Sequence, residues 1–352
     1  MKTLFLGGGS GGHLVPGVAV AQVLATQGHD VLFAIAGRSI ERQVLDDQGL
    51  NYHSLFGGEG GRPSLRAVQI WWRAIRRWGR LVKSFEPDAI VVLGGWVAAP
   101  AVVRGFFGRP SILLEQNACP GRVSTLLKGR VTHVCLAMGA PGMPRGRFGT
   151  HVTGNPLLPY HEMDRVDAAG AFGLDPHRKT LLLMGGSQGA ADLNALLPSV
   201  IAVLKAAQEP WQVLHITGKQ NVVDLRENGV PVVQRPYVSD MTPAYSLATA
   251  AVCRSGGVTV SELARTGTPA VLVPYPHHAN HHQEANGQCL VDVGAAVMVS
   301  RDDPQGKKTV PNLLADLLGR RERMSEAAQT QGRPHAARDV AEVVQQAMQA
   351  AG

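Results

Sequence analysis

The sequence predicts an α/β protein of two doubly wound, Rossmann-like domains, each a parallel sheet covered by helices. Three observations predict it. A chain of 352 residues is long enough for about two domains of roughly 150 residues each. Short apolar runs alternate with helix-length amphipathic segments throughout, as strand–helix–strand units require. A strand, a glycine-rich turn and a helix start also recur half a chain apart: residues 3–12 read TLFLGGGSGG and residues 180–189 read TLLLMGGSQG.

Taken in order, Lys2–Leu6, Val31–Ala34, Ala89–Leu93, Ile112–Leu114 and Val134–Leu136 are the expected buried strands of the first half. Thr180–Met184, Gln212–Ile216, Ala250–Cys253, Ala270–Val273 and Ala296–Val299 are those of the second. Glycine and prolines in Thr153–Pro159 punctuate the change of domain, which places the expected domains at 1–157 and 158–334. A closing helix from about residue 335 could pack back onto the first domain.

Composition narrows the function. With 45% hydrophobic and 17% charged residues the chain is globular, which excludes disorder. Met1-Lys2-Thr3 runs straight into a strand, so no signal peptide is expected. The longest apolar stretch, Ala89 to Val103, is broken by Gly94, Gly95 and Pro100 and falls short of the roughly 20 residues that span a bilayer. Cys119, Cys135, Cys253 and Cys289 lie far apart without a CxxC pair and read as free thiols in a reducing compartment. The net charge of +7 calls for an anionic partner. Aromatics at 5% and the lack of any nucleic-acid motif make nucleic acid the weakest choice, leaving phosphorylated ligands or an anionic membrane face.

Gly7–His13 satisfies GxGxxG, so a dinucleotide site must be tested. Such a site needs an acid at the end of the second strand; Asp30 is at the wrong end, although Arg38 could take the phosphate of NADP. An NADP-dependent oxidoreductase therefore stays open. A P-loop does not, because neither loop is followed by Lys-Ser/Thr. Both loops still bring backbone N–H groups and a helix N-terminus to one point, which suits phosphate or diphosphate oxygens.

His13 follows the first loop and is either a general base or a loop-capping side chain. In Ser255–Leu263 a strand ends in Gly-Gly and a helix begins with Thr259 as expected cap and Glu262 in its first turn. Glu262 is either the capping-box partner of Thr259 or the acceptor of two ribose hydroxyls. The pairs His277/His281 and His278/His282 have the i, i+4 spacing of metal ligands. Pro274 and Pro276 make that segment's start non-helical and no second ligand cluster exists, so no metal is expected.

From Arg62 to Lys83 there are seven basic residues and no acidic one, and Val68, Trp71, Trp72, Ile75, Trp78 and Val82 recur at helical spacing. Either this helix lies on an anionic membrane with its tryptophans inserted, or it packs on the core with a solvated basic face.

The motifs GGGSGGH at 7–13, GGSQGA at 185–190, SGGVTVSE at 255–262 and HQ..N at 282–286, in this order and spacing, resemble one family. It is that of the undecaprenyldiphospho-muramoylpentapeptide β-N-acetylglucosaminyltransferases of peptidoglycan synthesis. The resemblance spans nearly the whole chain and implies the GT-B arrangement, with inverting transfer of GlcNAc from UDP-GlcNAc to lipid I at the cytoplasmic face of the membrane. It implies an acceptor- and membrane-binding first domain and a donor-binding second domain. UDP-GlcNAc would be a co-substrate, with no cofactor and no metal.

Carried over by motif, Ser10, Gly11 and Gly12 would meet the diphosphate region, and Asn117 would lie near the sugar. Ser187 and Gln188 would hold the UDP phosphates, and Val238 would present its backbone to uracil. Glu262 would hold the ribose hydroxyls with Val258 and Thr259 also binding substrate, Gln283 would read GlcNAc hydroxyls, and His13 would be the base. Three positions depart from the family pattern: Leu158 stands for an arginine, Leu114 for a histidine, and Gly94–Pro100 lacks a serine. A diacylglycerol glycosyltransferase would share the donor motifs and differ in acceptor.

Overall fold

A computed structural model describes residues 1–9, 11–58, 65–140, 142–186, 189–218, 229–276, 281–300, 303 and 306–351. The chain forms two compact units, Met1–Leu158 with Pro334–Gly352, and Pro159–Arg333.

The first unit runs β1 (Lys2–Leu6), α1 (Gly11–Thr26), β2 (Asp30–Ile35), α2 (Ser39–Asp46), β3 (Tyr52–Ser54), α3 (Leu65–Phe85), β4 (Ala89–Val92), α4 (Ala99–Arg104), β5 (Ser111–Glu115), α5 (Arg122–Leu127), β6 (His133–Leu136) and β7 (Gly149–Val152). The second runs α6 (Arg165–Gly170), β8 (Lys179–Met184), α7 (Ala191–Asn194), α8 (Leu197–Ala206), β9 (Trp211–Ile216), β10 (Val232–Arg235), α9 (Thr242–Leu247), β11 (Ala248–Cys253), α10 (Gly257–Thr266), β12 (Ala270–Leu272), α11 (His282–Asp292), β13 (Ala296–Met298) and α12 (Val310–Gln329). The closing helix α13 (Ala336–Gln349) belongs to the first unit.

The seven-stranded sheet has the order β3-β2-β1-β4-β5-β6-β7 and the six-stranded sheet β10-β9-β8-β11-β12-β13. All pairings are parallel. Parallel strands buried on both faces carry near-continuous apolar runs, as β4 does, with all four residues buried. The β1 residues Leu4 and Leu6 point into one core and Phe5 into the other, where Phe5 stacks on Phe33 at 4.8 Å.

That second core shows why α1 is apolar on more than one side. Leu14, Val18, Val20, Ala21 and Leu24 lie between the sheet and α13, which contributes Val340, Val343, Val344, Ala347 and Met348. The second unit is built likewise, with Leu181, Leu183, Val213, Val252 and Val271 packed under α8 and α12.

Three strands escape a pattern reading. β3, β7 and β10 form sheet edges, are only three or four residues long, and are partly exposed, so none carries an apolar run.

The basic helix is corrected in one respect. The apolar face of α3 is given to the core: Ala74, Trp78, Leu81 and Val82 are buried, and the Trp78 indole N–H donates to the Gly105 carbonyl at 3.2 Å. Trp71 is partly buried in an edge-on cluster with Phe56 and Trp96. Among its described side chains Val68 and Trp72 stand out, 62% and 57% exposed, with the Arg76 guanidinium over the Trp72 ring. Sheet contact claims one side because Trp78 is too large and apolar to leave in water.

Because α13 seals a core rather than decorating a surface, Val344→Ala should lower unfolding free energy by about 1–3 kcal/mol. The exposed neighbour Gln346→Ala should change it by less than about 0.5 kcal/mol. Urea titrations of the full chain measure both; equal effects would mean that α13 is not part of the core.

Candidate functional site

In a parallel sheet the strands' C-terminal ends share one edge, and ligands collect there at the point where strand order reverses. In the first unit that point lies between β1 and β4. Gly7–Gly9 leaves β1 and Gly94-Gly95 follows β4, tied by backbone bonds from Gly7 N to Ala34 O and from Leu93 N to Leu6 O.

What holds the first loop is a carboxylate that sequence reasoning missed. Glu41, in the first turn of α2 and fully buried, accepts from the N–H groups of Gly9 at 2.5 Å and of Gly37 and Arg38 at 2.8 Å. A Cβ at position 8 would lie 2.4 Å from the Glu41 carboxylate, so only glycine fits. Gly9 has φ +93°, and a Cβ there would lie 2.8 Å from the Trp96 indole nitrogen. Arg38 closes the loop by donating to Gly9 O at 2.9 Å while lying over Trp96. These two glycines are needed by the protein's own packing, quite apart from any ligand.

His13 is the third residue of α1, and Gly95 faces its ring so closely that a Cβ at 95 would sit 3.0 Å from Cδ2. Gln116 bridges the same edge, donating to His13 O at 3.1 Å and Leu93 O at 3.3 Å. Next to it Asn117 is oriented by Glu115, whose Oε1 accepts from Asn117 N and Nδ2 at 3.1 and 3.3 Å. Burial pushes the Glu115 carboxyl above its ordinary range, and bonds from Ser124, Asn117 and Gly121 oppose the shift. The first unit thus brings His13, Gly11, Gly12 and Asn117 to one edge; Ser10 lies outside the described residues.

In the second unit strand order reverses between β8 and β11, again where glycine turns lead into helices. Ser187 and Gln188, after β8, lie outside the described residues. After β11, Gly256 and not Thr259 is the N-cap of α10: its backbone is extended and its carbonyl accepts Val260 N at 2.9 Å. The helix starts early because Gly256-Gly257 makes the turn without a side-chain cap. Thr259 is consequently the third helical residue, and Glu262 is the sixth, not a first-turn capping-box partner. Val258, Thr259 and Glu262 are all partly buried.

Glu262 Oε2 accepts from the Tyr245 hydroxyl at 2.9 Å. Burial pushes its carboxyl up to about 7, against the pull of Tyr245 and Arg265. Val238 lies partly buried between β10 and α9. Gln283, in the first turn of α11, accepts Tyr275 N at 2.8 Å, which commits its oxygen and leaves its NH2 to offer. Beneath these, the almost buried Arg254 binds both oxygens of Asp192 at 2.7 and 2.8 Å and the carbonyls of Val273 and Pro274. It thereby ties the helix after β8 to the end of β12. Arg254 follows Cys253 in the sequence and could have been found as the one charge inside an otherwise apolar strand end.

His277 and His278 lie outside the described residues; His281 pairs with Glu284 at 3.6 Å. Among the described residues no group of three or more His, Cys, Asp or Glu could hold a metal ion. The four cysteines are free thiols.

Residues 3–136 match the family model for the glycosyltransferase family 28 N-terminal domain, and residues 180–344 that for its C-terminal domain. The chain is 34% identical over 349 residues to a Syntrophotalea carbinolica protein, covering 94% of this chain and 95% of that one. It is 35% identical over 360 residues to one from Prosthecochloris aestuarii, covering 97% of each. Both relatives are named UDP-N-acetylglucosamine–N-acetylmuramyl-(pentapeptide) pyrophosphoryl-undecaprenol N-acetylglucosamine transferase. The crystal structure of Acinetobacter baumannii MurG is similar with a TM-score of 0.73 at 28% identity, covering 98% of this chain and 99% of that one.

If Glu41 anchors the first loop, Glu41→Ala strands one buried and two partly buried N–H groups and should cost about 2–4 kcal/mol of stability. Glu41→Gln should recover little, because its NH2 must face a backbone donor. Denaturant titration checks both, and a fully stable Glu41→Gln would contradict this account of the loop.

Proposed function

The chain belongs to glycosyltransferase family 28, and from that premise we propose that it moves GlcNAc from UDP-GlcNAc to the C4 hydroxyl of lipid-diphosphate-linked MurNAc-pentapeptide, converting lipid I to lipid II in peptidoglycan synthesis. The observation that carries this reading is the likeness, over nearly the full length, to relatives that bear this activity in their names. The glycine turns at both strand-order reversals supply the matching chemistry.

In the second unit, Ser187 and Gln188 at the turn after β8 bind the UDP phosphates, and the Val238 backbone meets uracil. Val258 and Thr259 shape the ribose site, and Glu262 accepts the ribose hydroxyls. The Gln283 NH2 donates to a GlcNAc hydroxyl. In the first unit, Ser10, Gly11 and Gly12 meet the acceptor's diphosphate region, and Asn117 the sugar. His13 takes the proton of the acceptor hydroxyl as its oxygen attacks C1 of GlcNAc; the C1–O bond to UDP breaks on the opposite face and configuration inverts. Helix N-termini and backbone N–H groups stabilise the charge on departing UDP. No metal or cofactor has a part in this reading.

The lipid-linked acceptor places the enzyme at the cytoplasmic face of the cell membrane, held peripherally. No helix among the described residues is long and apolar enough to cross a bilayer. The exposed Val68-Trp72 ridge and the exposed Arg73, Arg76, Arg80 and Lys83 support α3 as the contact with anionic lipid.

Turnover of UDP-GlcNAc with a short-chain lipid I analogue tests the reaction; turnover with diacylglycerol alone, or with NADPH, would overturn it. In the same assay His13→Ala should reduce kcat by about 10²–10⁴-fold with donor affinity unchanged. A drop under about fivefold would leave His13 a loop residue.

For the membrane, Arg73, Arg76 and Arg80 replaced together by Gln should release the protein from anionic vesicles, with activity on the short-chain acceptor retained. Arg77 is spared because it donates to Leu55 O at 2.9 Å. Salt should weaken the wild-type association, since exposed charges are screened. Undiminished co-sedimentation of the triple variant would remove α3 from this role.

A further inference from the structure

We propose that Tyr245 is a positioning residue for the donor ribose, its hydroxyl holding the Glu262 carboxylate in the orientation that receives the 2′- and 3′-hydroxyls. The inference rests on the reading of Glu262 as the ribose acceptor and names the group that makes it competent.

The geometry is direct. Tyr245, on α9, is 4% exposed, and its hydroxyl donates to Glu262 Oε2 at 2.9 Å across to α10. Oε1 has no hydrogen-bond partner among the described residues, and Glu262 is partly exposed. A carboxylate accepts a vicinal diol with one oxygen toward each hydroxyl, which requires that its plane be fixed. A glutamate has three rotatable bonds, and the phenol stops the last of them before the ligand arrives, so less ordering remains to be done on binding.

Charge acts in the same direction. The groups whose charge reaches Glu262 are Tyr245, Arg265 one turn along α10, and the Cys253 thiol on β11. Burial pushes the Glu262 carboxyl up to about 7, and Tyr245 and Arg265 pull it down. Arg265 is itself held by Tyr160, donating to its carbonyl at 3.3 Å and lying over its ring. A protonated carboxyl would present a donor to hydroxyls that must donate. Affinity should therefore be full well above pH 7 and fall as pH drops through about 7. Loss of the phenol donor moves that midpoint up.

The test is UDP-GlcNAc binding by calorimetry across pH 6–9, a ligand whose diphosphate does not titrate in that range. Tyr245→Phe should weaken binding about three- to tenfold near pH 7.5, with the deficit shrinking toward pH 9. It should also reduce the preference for UDP over 2′-deoxy-UDP, and raise KM for UDP-GlcNAc while leaving kcat and the acceptor's KM unchanged. In a Glu262→Gln background, Tyr245→Phe should add nothing.

A Tyr245→Phe with the wild-type pH midpoint and ribose preference, or with a loss that simply adds to that of Glu262→Gln, overturns the proposal. Glu262→Gln that leaves affinity and ribose preference untouched would instead overturn the ribose assignment beneath it. Should Tyr245→Phe not fold, biosynthetic replacement of tyrosine by the more acidic 3-fluorotyrosine should shift the midpoint down; an unmoved midpoint would overturn the proposal equally.

Discussion

Parallel pairing governs everything functional in this chain. Because each strand must be followed by a crossover, all strand C-termini of a sheet emerge at one edge, and all helices that follow start there. Helix starts carry unsatisfied N–H groups and the positive end of the helix dipole. Where strand order reverses, adjacent crossovers part to opposite faces and leave a crevice open to these groups. The first sheet does this between β1 and β4, the second between β8 and β11. Two units that share no strand therefore arrive at the same chemistry, an anion-receptive turn beside a strand end.

Such an edge is electropositive, and three buried or partly buried carboxylates exploit it differently. Glu41 receives three backbone N–H groups and is wholly structural in what it touches. Glu115 receives Asn117 and Gly121 donors and orients the Asn117 side chain. Glu262 receives one phenol, and its other oxygen is the one proposed to meet a ligand. The fewer the internal donors, the more a buried carboxylate depends on what binds it, and burial then lifts its pKa toward neutrality. Glu41, with the most backbone donors, is also the most buried of the three.

The same distinction explains what could be read in the sequence. Central strands and the doubled glycine turn were legible because apolar runs and Gly-Gly leave local patterns. β3, β7 and β10 were not, because an edge strand is ordered by its neighbour and not by its own composition. Glu41 was invisible for another reason: its partners are backbone groups of residues 9, 37 and 38, and backbone leaves no mark on a sequence. Thr259 misled because a cap residue type stood two positions inside a helix that Gly256 begins unaided. Leu158, where the family pattern has arginine, packs against the core that α1 and α13 share. An apolar residue at this position serves the linker's attachment to the first unit.

The basic helix shows how packing limits a surface role. Periodicity alone grouped Trp71, Trp72, Trp78 and Val82, yet a helix lying on a sheet must give its bulkiest apolar side chains to that sheet. With Trp78 and Val82 in the core and Trp71 edge-on to Phe56, Val68 and Trp72 are the large apolar side chains left exposed among those described. Two side chains bury too little area for lasting insertion, so the proposed contact must draw mainly on Arg73, Arg76, Arg80 and Lys83. A contact made by charge is screened by salt and readily reversed. Reversibility suits a transferase whose donor is in water and whose acceptor is confined to a surface: the enzyme can sample many acceptors without being trapped beside one.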